Sequence, residues 1–422
     1  MANVLNSKTG SPEPEPDGSE EGNRAPLLEE PRGGVPSVVE TADQLSRVVA
    51  DFARGQGPVA VDAERASGYR YSQRAYLVQL RRSGAGSALV DPVACPDLSE
   101  LDAALSDAEM VLHAAHQDLP CLDELSLRPR TLFDTELAGR LLGYQRVGLG
   151  TMVERFLGVR LAKEHSAVDW SVRPLPEEWL AYAALDVEVL TELRDALHEE
   201  LSAAGKLGWA REEFAAVLSA PPKEPRTEPW RRTSGIHRVR NQRALGAVRE
   251  LWQERDRIAQ ERDVAPGRVV PDSGLVEAAI AMPRTERQLV AIKPFGVRLA
   301  RRYVPSWLRA VNRVRDMPDA DLPRPGTPGD GPPPTNRWAD RDPAAAQRLE
   351  SARARVRALA EQVTMPAENL LPPDAVRRLC WTPPETIDVT TVSEHLRRNN
   401  AREWQISLTA GELTGVLGGP GN

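Results

Sequence analysis

Pro58-Val59-Ala60-Val61-Asp62-Ala63-Glu64 is the stretch on which the reading of this chain turns. Its apolar, β-branched half reads as a short strand. Strand side chains alternate between two faces, so Asp62 and Glu64 share one face and both carboxylates can serve one ion. A D-x-E pair is a weak signal by itself. Acids are 61 of 422 residues, and the pattern recurs at Asp134-Thr135-Glu136 and Asp186-Val187-Glu188. Of the three, only Asp62 ends a convincing strand. Asp134 stands where Phe133-Asp134-Thr135-Glu136-Leu137-Ala138 begins a helix, and it reads as a cap.

Working outward, Ala75–Leu80, Ser87–Val90 and Glu109–Leu112 read as further strands. Leu98–Leu105 and the run from Pro176 to about Leu201 carry helical periods. Residues 37–220 therefore form one α/β domain. Val111-Leu112-His113-Ala114-Ala115-His116-Gln117-Asp118-Leu119 is a strand leaving through a turn into a helix, with Asp118 near the helix N-terminus. Capping explains Asp118 alone as well as ligation does. Tyr182-Ala183-Ala184-Leu185-Asp186 puts a phenol and a carboxylate on one helix face. Taken alone, that pair fits a packed tyrosine and an incidental surface acid better than a site.

Composition sets the frame. Hydrophobic residues at 41% and charged residues at 27% suit a soluble globular chain, and 36 prolines point to linkers. No apolar run approaches the ~20 residues of a membrane helix, and the start lacks the apolar core of a signal peptide. Cys95, Cys121 and Cys380 form no CxxC pair and read as reduced structural thiols of a cytoplasmic protein. Residues 1–36, rich in Pro, Glu, Ser and Gly, read as a disordered acidic tail. Residues 235–316 and 337–418 read as two all-helical units, separated by a Pro/Gly-rich linker at 317–336. The helical units look like repeats. Val264-Ala265-Pro266 and Val269-Val270-Pro271 in the first correspond to Met365-Pro366 and Leu370-Leu371-Pro372 in the second.

The net charge of −7 hides an asymmetry. Lys223 to Ala320 holds 21 Lys and Arg against 12 Asp and Glu, a balance of +9, which leaves −16 for the remainder. An acidic part beside a basic module fits a nucleic-acid partner. Arg240, Arg243, Arg249, Arg298, Arg301, Arg302 and Arg309 are candidate phosphate contacts. Trp252, Tyr303 and Trp307 suit core packing better than base stacking.

Phosphodiester hydrolysis calls for charge neutralisation, an activated water and a stabilised leaving oxygen. Two divalent ions roughly 3.5–4 Å apart supply all three. Hard ions take oxygen ligands, so several carboxylates must converge from different elements. A strand D-x-E, an Asp after the fourth strand and a helical Y-x-x-x-D, in that order, resemble the DEDD exonuclease family in its tyrosine form. The resemblance covers roughly Ser37 to Ala220. Within that family, His113-Ala114 with Asp118-Leu119, then Asp134-Thr135, Asp169-Trp170 and Arg173-Pro174-Leu175, look like the bacterial ribonuclease D family. The region after Arg238 is similar to the helicase-and-RNase-D C-terminal (HRDC) domain, of which a second copy follows in some members.

The resemblance implies an α/β ribonuclease-H-like exonuclease domain, with a mixed sheet flanked by helices, followed by two small all-α HRDC-like domains. It implies two divalent ions, Mg²⁺ or Mn²⁺, on Asp62, Glu64, Asp118 and Asp186, with Tyr182 orienting the attacking water. No histidine lies between Trp170 and Asp186, which disfavours the histidine form. The implied activity is 3′–5′ exoribonuclease action on RNA with a free 3′ end, tRNA precursors included; separately, composition points to the cytoplasm, and a monomer is favoured over an oligomer. A 3′–5′ exonuclease on DNA and a non-catalytic RNA-binding protein are the alternatives. Ala63 and Arg65 depart from the family's pattern, which has Thr and an aromatic there. His116 and Gln117 fit local hydrogen bonding better than substrate contact.

Overall fold

The computed structural model describes residues 25–162, 167–222, 224–326 and 331–419. Its strands are β1 (Leu27–Leu28), β2 (Val38–Val39), β3 (Gln56–Arg65), β4 (Ala75–Ser83), β5 (Gly86–Val90), β6 (Glu109–Leu112), β7 (Thr131–Asp134) and β8 (Arg160–Leu161). Six of them form one mixed sheet in the order β2-β5-β4-β3-β6-β7. β3, β4 and β5 run as an antiparallel meander, while β2 lies parallel to β5, and β6 and β7 continue parallel from β3.

β3 is paired on both sides, to β4 along most of its length and to β6 through Val59 and Ala60. Val59, Ala60 and Val61 are buried, and Val59 and Ala60 are paired on both sides, so this stretch of the strand is held in both backbone and side chains. That makes it a stiff base for the two acids that follow. The strand does not end at Asp62 as read from sequence but continues to Arg65. The apolar run stops earlier because the last residues line a cleft.

Helix Glu177–Glu188 lies against the sheet through Ala183 and Ala184, which pack with Leu77, Leu89 and the buried Trp170. The long helical run read from Pro176 is two helices, Glu177–Glu188 and Leu190–Ala203. Leu190, Leu193, Leu197 and Leu201 form the buried stripe of the second.

The tail reading holds less of the chain than composition indicated. Residues 1–24 lie outside the described residues, but 25–36 are docked. β1 pairs in parallel with β8, Arg160 Nε donates to the Ala25 carbonyl at 2.8 Å, and Arg32 is ion-paired with Glu192. Composition cannot foresee that a sheet edge will accept Leu27 and Leu28.

The two helical units share a plan. A long helix (Gln242–Arg262, Pro343–Gln362) leads into a one-turn helix (Pro266–Val269, Ala367–Leu370) and a third helix (Asp272–Ala281, Pro373–Trp381). The paired aliphatics that marked the repeat, Val269-Val270 and Leu370-Leu371, are buried in both. Their attachments to the α/β domain differ. The second unit shares one continuous apolar core with it. Trp404 stacks on Trp209 at 4.9 Å and donates to Glu213, while Lys206 Nζ donates to the carbonyls of Leu141 and Thr364.

The first unit has a separate core around Trp307. It grips the β3–β4 loop instead. Asp263 accepts from the backbone N–H groups of Tyr71 and Ser72, Asp256 accepts from the Tyr71 hydroxyl, and Ala265 N–H donates to the Tyr69 carbonyl. The described ends of the linker are anchored as well. Leu322 is buried in the first helical core, and the Pro333 carbonyl accepts from Trp338 Nε1.

Candidate active site

Asp62 and Glu64 project from β3 and Asp186 from the helix Glu177–Glu188. Each offers a carboxylate oxygen within 4.8 Å of the other two. Two elements distant in sequence, one carrying the D-x-E pair and the other the Y-x-x-x-D pair, thus converge. The fourth acid, Asp118, follows β6, which pairs directly with β3. It sits at the start of the helix Leu119–Glu124 without accepting a capping hydrogen bond. The capping alternative therefore falls away, because the buried carboxylate is not spent on its own helix.

Asp118 is not one of the three clustered acids. Its Oδ1 lies 3.3 Å from Nη2 of Arg65. Strict alternation would send Arg65 to the face opposite Glu64, but the β3–β4 register shifts between these two residues, and such irregularities re-aim side chains.

Electrostatics make this cleft expensive without a cation. Burial raises the carboxyl pKa of Asp62. Burial and the neighbouring acids raise those of Glu64 and Asp186 well above the ordinary range. Asp118 is pushed up to about 8, by burial first and then by Asp62, with Arg65 opposing. Four acids so placed disfavour their own ionisation. An all-oxygen donor set of this charge fits hard divalent ions.

Tyr182 is hydrogen bonded to Asp186, and burial followed by the charge of Asp186 holds its phenol well above the usual value. At neutral pH it is a neutral hydroxyl, suited to positioning rather than proton abstraction. Its ring packs near Trp170, with centroids 6.5 Å apart. Trp170 is in turn held by the segment before the helix. Arg173 makes a two-pronged ion pair with Asp91 and donates to the carbonyls of Tyr76 and Trp170. Asp169-Trp170 and Arg173 thus set the entry of the helix that carries Tyr182 and Asp186.

Asp134 is the residue whose role was only half read. It caps the helix Thr135–Leu141, accepting from the N–H groups of Glu136 and Leu137. It also accepts from Ala114 at 3.1 Å and Ala115 at 2.9 Å, the first turn of the segment that delivers Asp118. His113 Nδ1 meets the Thr135 hydroxyl at 2.9 Å, and burial lowers its pKa to about 4, so this imidazole is neutral.

Other expectations are revised. His116 and Gln117 are exposed and make no side-chain hydrogen bond among the described residues, so local bonding does not explain them. Arg243 donates to the carbonyls of Val314, Arg315 and Met317. It closes the end of the helix Val304–Arg315 and is unavailable to phosphate. Arg249 is half-buried against Glu250 and Met317. Arg240, Arg298, Arg301, Arg302 and Arg309 are exposed. Trp307 is core, as expected, donating to the Ala300 carbonyl. The three cysteines are free and buried. Among the described residues, no helix is long and apolar enough to cross a membrane.

The chain is similar to known proteins along most of its length. Residues 36–202 match the family model of 3′–5′ exonucleases and residues 244–311 the HRDC domain. Residues 331–417 match a separate model, the 3′ to 5′ exonuclease C-terminal domain. Ribonuclease D of Gluconacetobacter diazotrophicus is 33% identical over 308 residues, 71% of this chain and 77% of that one. A solved protein from Bifidobacterium adolescentis superposes with a TM-score of 0.85 at 38% identity, covering 94% of this chain and all of that one. The structure of Escherichia coli RNase D, an exoribonuclease involved in structured RNA processing, gives 0.66 at 26% identity, covering 90% and 98%. The chain belongs to the ribonuclease D family.

Proposed function

We propose that this metal-dependent 3′–5′ exoribonuclease matures the 3′ ends of structured RNA, tRNA precursors included, with Asp62, Glu64, Asp118 and Asp186 holding two divalent ions. The convergence of Asp62, Glu64 and Asp186 within 4.8 Å, in a cleft that disfavours bare negative charge, is the observation that carries the reading. Mg²⁺ and Mn²⁺ both suit the donor set. Bound there, such ions would neutralise the phosphate, lower the pKa of a water and stabilise the departing oxygen.

The chain's own residues do the rest. The stiff strand β3 and the helix Glu177–Glu188 hold the acids in register. The neutral Tyr182 hydroxyl orients the attacking water, whose oxygen bonds to phosphorus as the P–O3′ bond breaks. The freed 3′ oxygen takes a proton, and a 5′-mononucleotide leaves. The exposed arginines of the first helical unit are the phosphate-contacting surface, and that unit is tied to the exonuclease domain through the β3–β4 loop. Buried, unpaired cysteines suit a reducing cytoplasm, and we take the active form to be the monomer.

The test is product analysis on a 3′-extended tRNA, with a DNA oligonucleotide of the same 3′ sequence in parallel. Stepwise 5′-mononucleotides from the RNA that disappear with chelator are expected. Internal cuts, chelator-resistant turnover or preference for DNA would each overturn the reading.

A further inference from the structure

Arg65 is out of keeping with its surroundings. It follows Glu64 directly in a cleft built of carboxylates, at a position where an aromatic was expected. Its guanidinium approaches Asp118 through Nη2 at 3.3 Å, longer than the 2.7–2.9 Å or so of a tight charge-assisted bond. Asp118 is nearly shut off from solvent, with 8% of its side chain exposed, whereas Arg65 keeps 25%. The Arg65 side chain makes no hydrogen bond among the described residues. One edge of a planar, five-donor cation is therefore spent loosely on the fourth acid, and its other donors are left without a hydrogen-bond partner among the described residues.

Two needs meet at this point. Asp118 must be unpaired to join the other three acids on a divalent ion. The RNA that enters is a polyanion arriving at a negative cleft, and a guanidinium matches a phosphate through two parallel N–H bonds where an ammonium offers a point charge. We propose that Arg65 is a phosphate ligand held in reserve, paired with Asp118 until that carboxylate engages a divalent ion and then pairing with the scissile phosphate, which the 5′-mononucleotide product carries away. The proposal rests on the ligand set given above.

It makes the two affinities of the site move in opposite directions. Removing Arg65 takes a positive charge away from a cation site and leaves Asp118 without a competitor, so divalent ions bind more tightly. The same change removes a donor pair from the phosphate, so the nucleotide binds more weakly. A residue that merely supports the fold weakens both.

The experiment is calorimetric, on the full chain without RNA. Mn²⁺ is titrated into wild type, Arg65→Gln, Arg65→Lys and Asp186→Asn. The uncleavable product 5′-AMP is then titrated in saturating Mn²⁺. For Arg65→Gln, the expected result is Mn²⁺ binding tighter by about tenfold, from loss of one charge in a partly solvated cleft, with 5′-AMP weaker by a similar factor. Arg65→Lys keeps the charge and should leave Mn²⁺ affinity near wild type while weakening 5′-AMP. Mn²⁺ affinity in Arg65→Gln that is unchanged or weaker, or unchanged 5′-AMP affinity in either variant, overturns the proposal alone. Mn²⁺ binding that survives Asp186→Asn overturns the ligand set, and the proposal with it.

Discussion

Asp134 is not one of the three clustered acids, yet its replacement should disable the enzyme. Its carboxylate accepts four backbone N–H bonds, three at Oδ1 from Ala114, Glu136 and Leu137 and one at Oδ2 from Ala115. It is 3% exposed, so water does not replace what it loses. Ala114 sits at φ 59°, the left-handed region that costs a residue with a Cβ roughly 1–2 kcal/mol. The bonds to Asp134 hold that turn in place and, four residues on, Asp118.

Asp134→Ala orphans all four donors. Loss of the cap is worth about 1–2 kcal/mol, and two buried N–H groups left unpaired add about 1–2 kcal/mol each, giving a loss of about 3–6 kcal/mol. Asp134→Asn is milder and more informative. With its amide oxygen in the Oδ1 position it keeps three bonds and faces its NH₂ against the Ala115 N–H, for a loss of about 1–2 kcal/mol. A domain with ordinary stability, about 5–15 kcal/mol, then remains almost wholly folded. Turnover should nonetheless fall on the order of 10²-fold, because a ligand displaced by about 1 Å costs that much. Urea unfolding gives the first quantity and single-turnover cleavage of a short RNA at 25 °C the second. Asp134→Asn with wild-type turnover would show that the Ala114–Ala115 turn holds Asp118 without help, and the argument would fail.

Four further outcomes are expected. Asp186→Asn should abolish cleavage while stabilising the metal-free chain; a near-normal rate in Mg²⁺ would remove Asp186 from the ligand set. The pH signature follows from the raised carboxyl values. The folded chain keeps protons that the unfolded chain releases near pH 4, so metal-free stability falls as pH rises from there through about 8, the value for Asp118. Asp186→Asn should flatten that decline, and urea midpoints across this range check it. Tyr182→Phe should lower the rate by on the order of 10²–10⁴ with little change in binding; an unchanged rate constant would make the phenol a packing group. A chain ending at Ala220 should fail to fold stably, because Trp404 and the apolar core shared with the second helical unit are lost, and Trp404→Ala alone should cost about 3–5 kcal/mol; a soluble, cooperative 25–220 fragment would refute this.

What was legible in the sequence was whatever a local period could carry. Val59–Glu64 declared a strand with two acids on one face, and Tyr182 with Asp186 declared one helix face, since each spacing is a property of its own element. The convergence of those elements was legible only through the order of the motifs. Asp134 shows the limit: a helix cap accounted for it fully at the level of sequence, and its second pair of bonds reaches back twenty residues to Ala114 and Ala115. Leu27 and Leu28 were assigned to a disordered tail because their neighbours are acidic and proline-rich, and the strand edge at Arg160–Leu161 that receives them is a tertiary fact. Trp404 gave no hint that its unit would close the core of the α/β domain while the unit nearer in sequence kept a separate one.

The charge asymmetry was the least specific of the signals, and the structure sharpens it. The balance of +9 counts arginines alike, but several are consumed inside the first helical unit. Arg243 closes a helix end, Arg255 pairs with Asp272, Arg257 with Glu254 and Glu261, and Arg313 with Glu250. What remains for RNA is a smaller set, with Arg298, Arg301 and Arg302 exposed on and just after one short helix. Each phosphate contact contributes roughly −0.7 to the salt slope of single-strand binding. Replacing these three with alanine in a full-length chain carrying Asp186→Asn should therefore make the slope shallower by about 2. Replacing Arg243 should leave the slope alone and lower stability instead, because its donors serve three carbonyls. Affinity for a single-stranded RNA measured across salt concentrations decides between them. Equal slopes for the triple variant and its parent would mean that this arginine face is only solvated, and that RNA is held by the α/β domain itself.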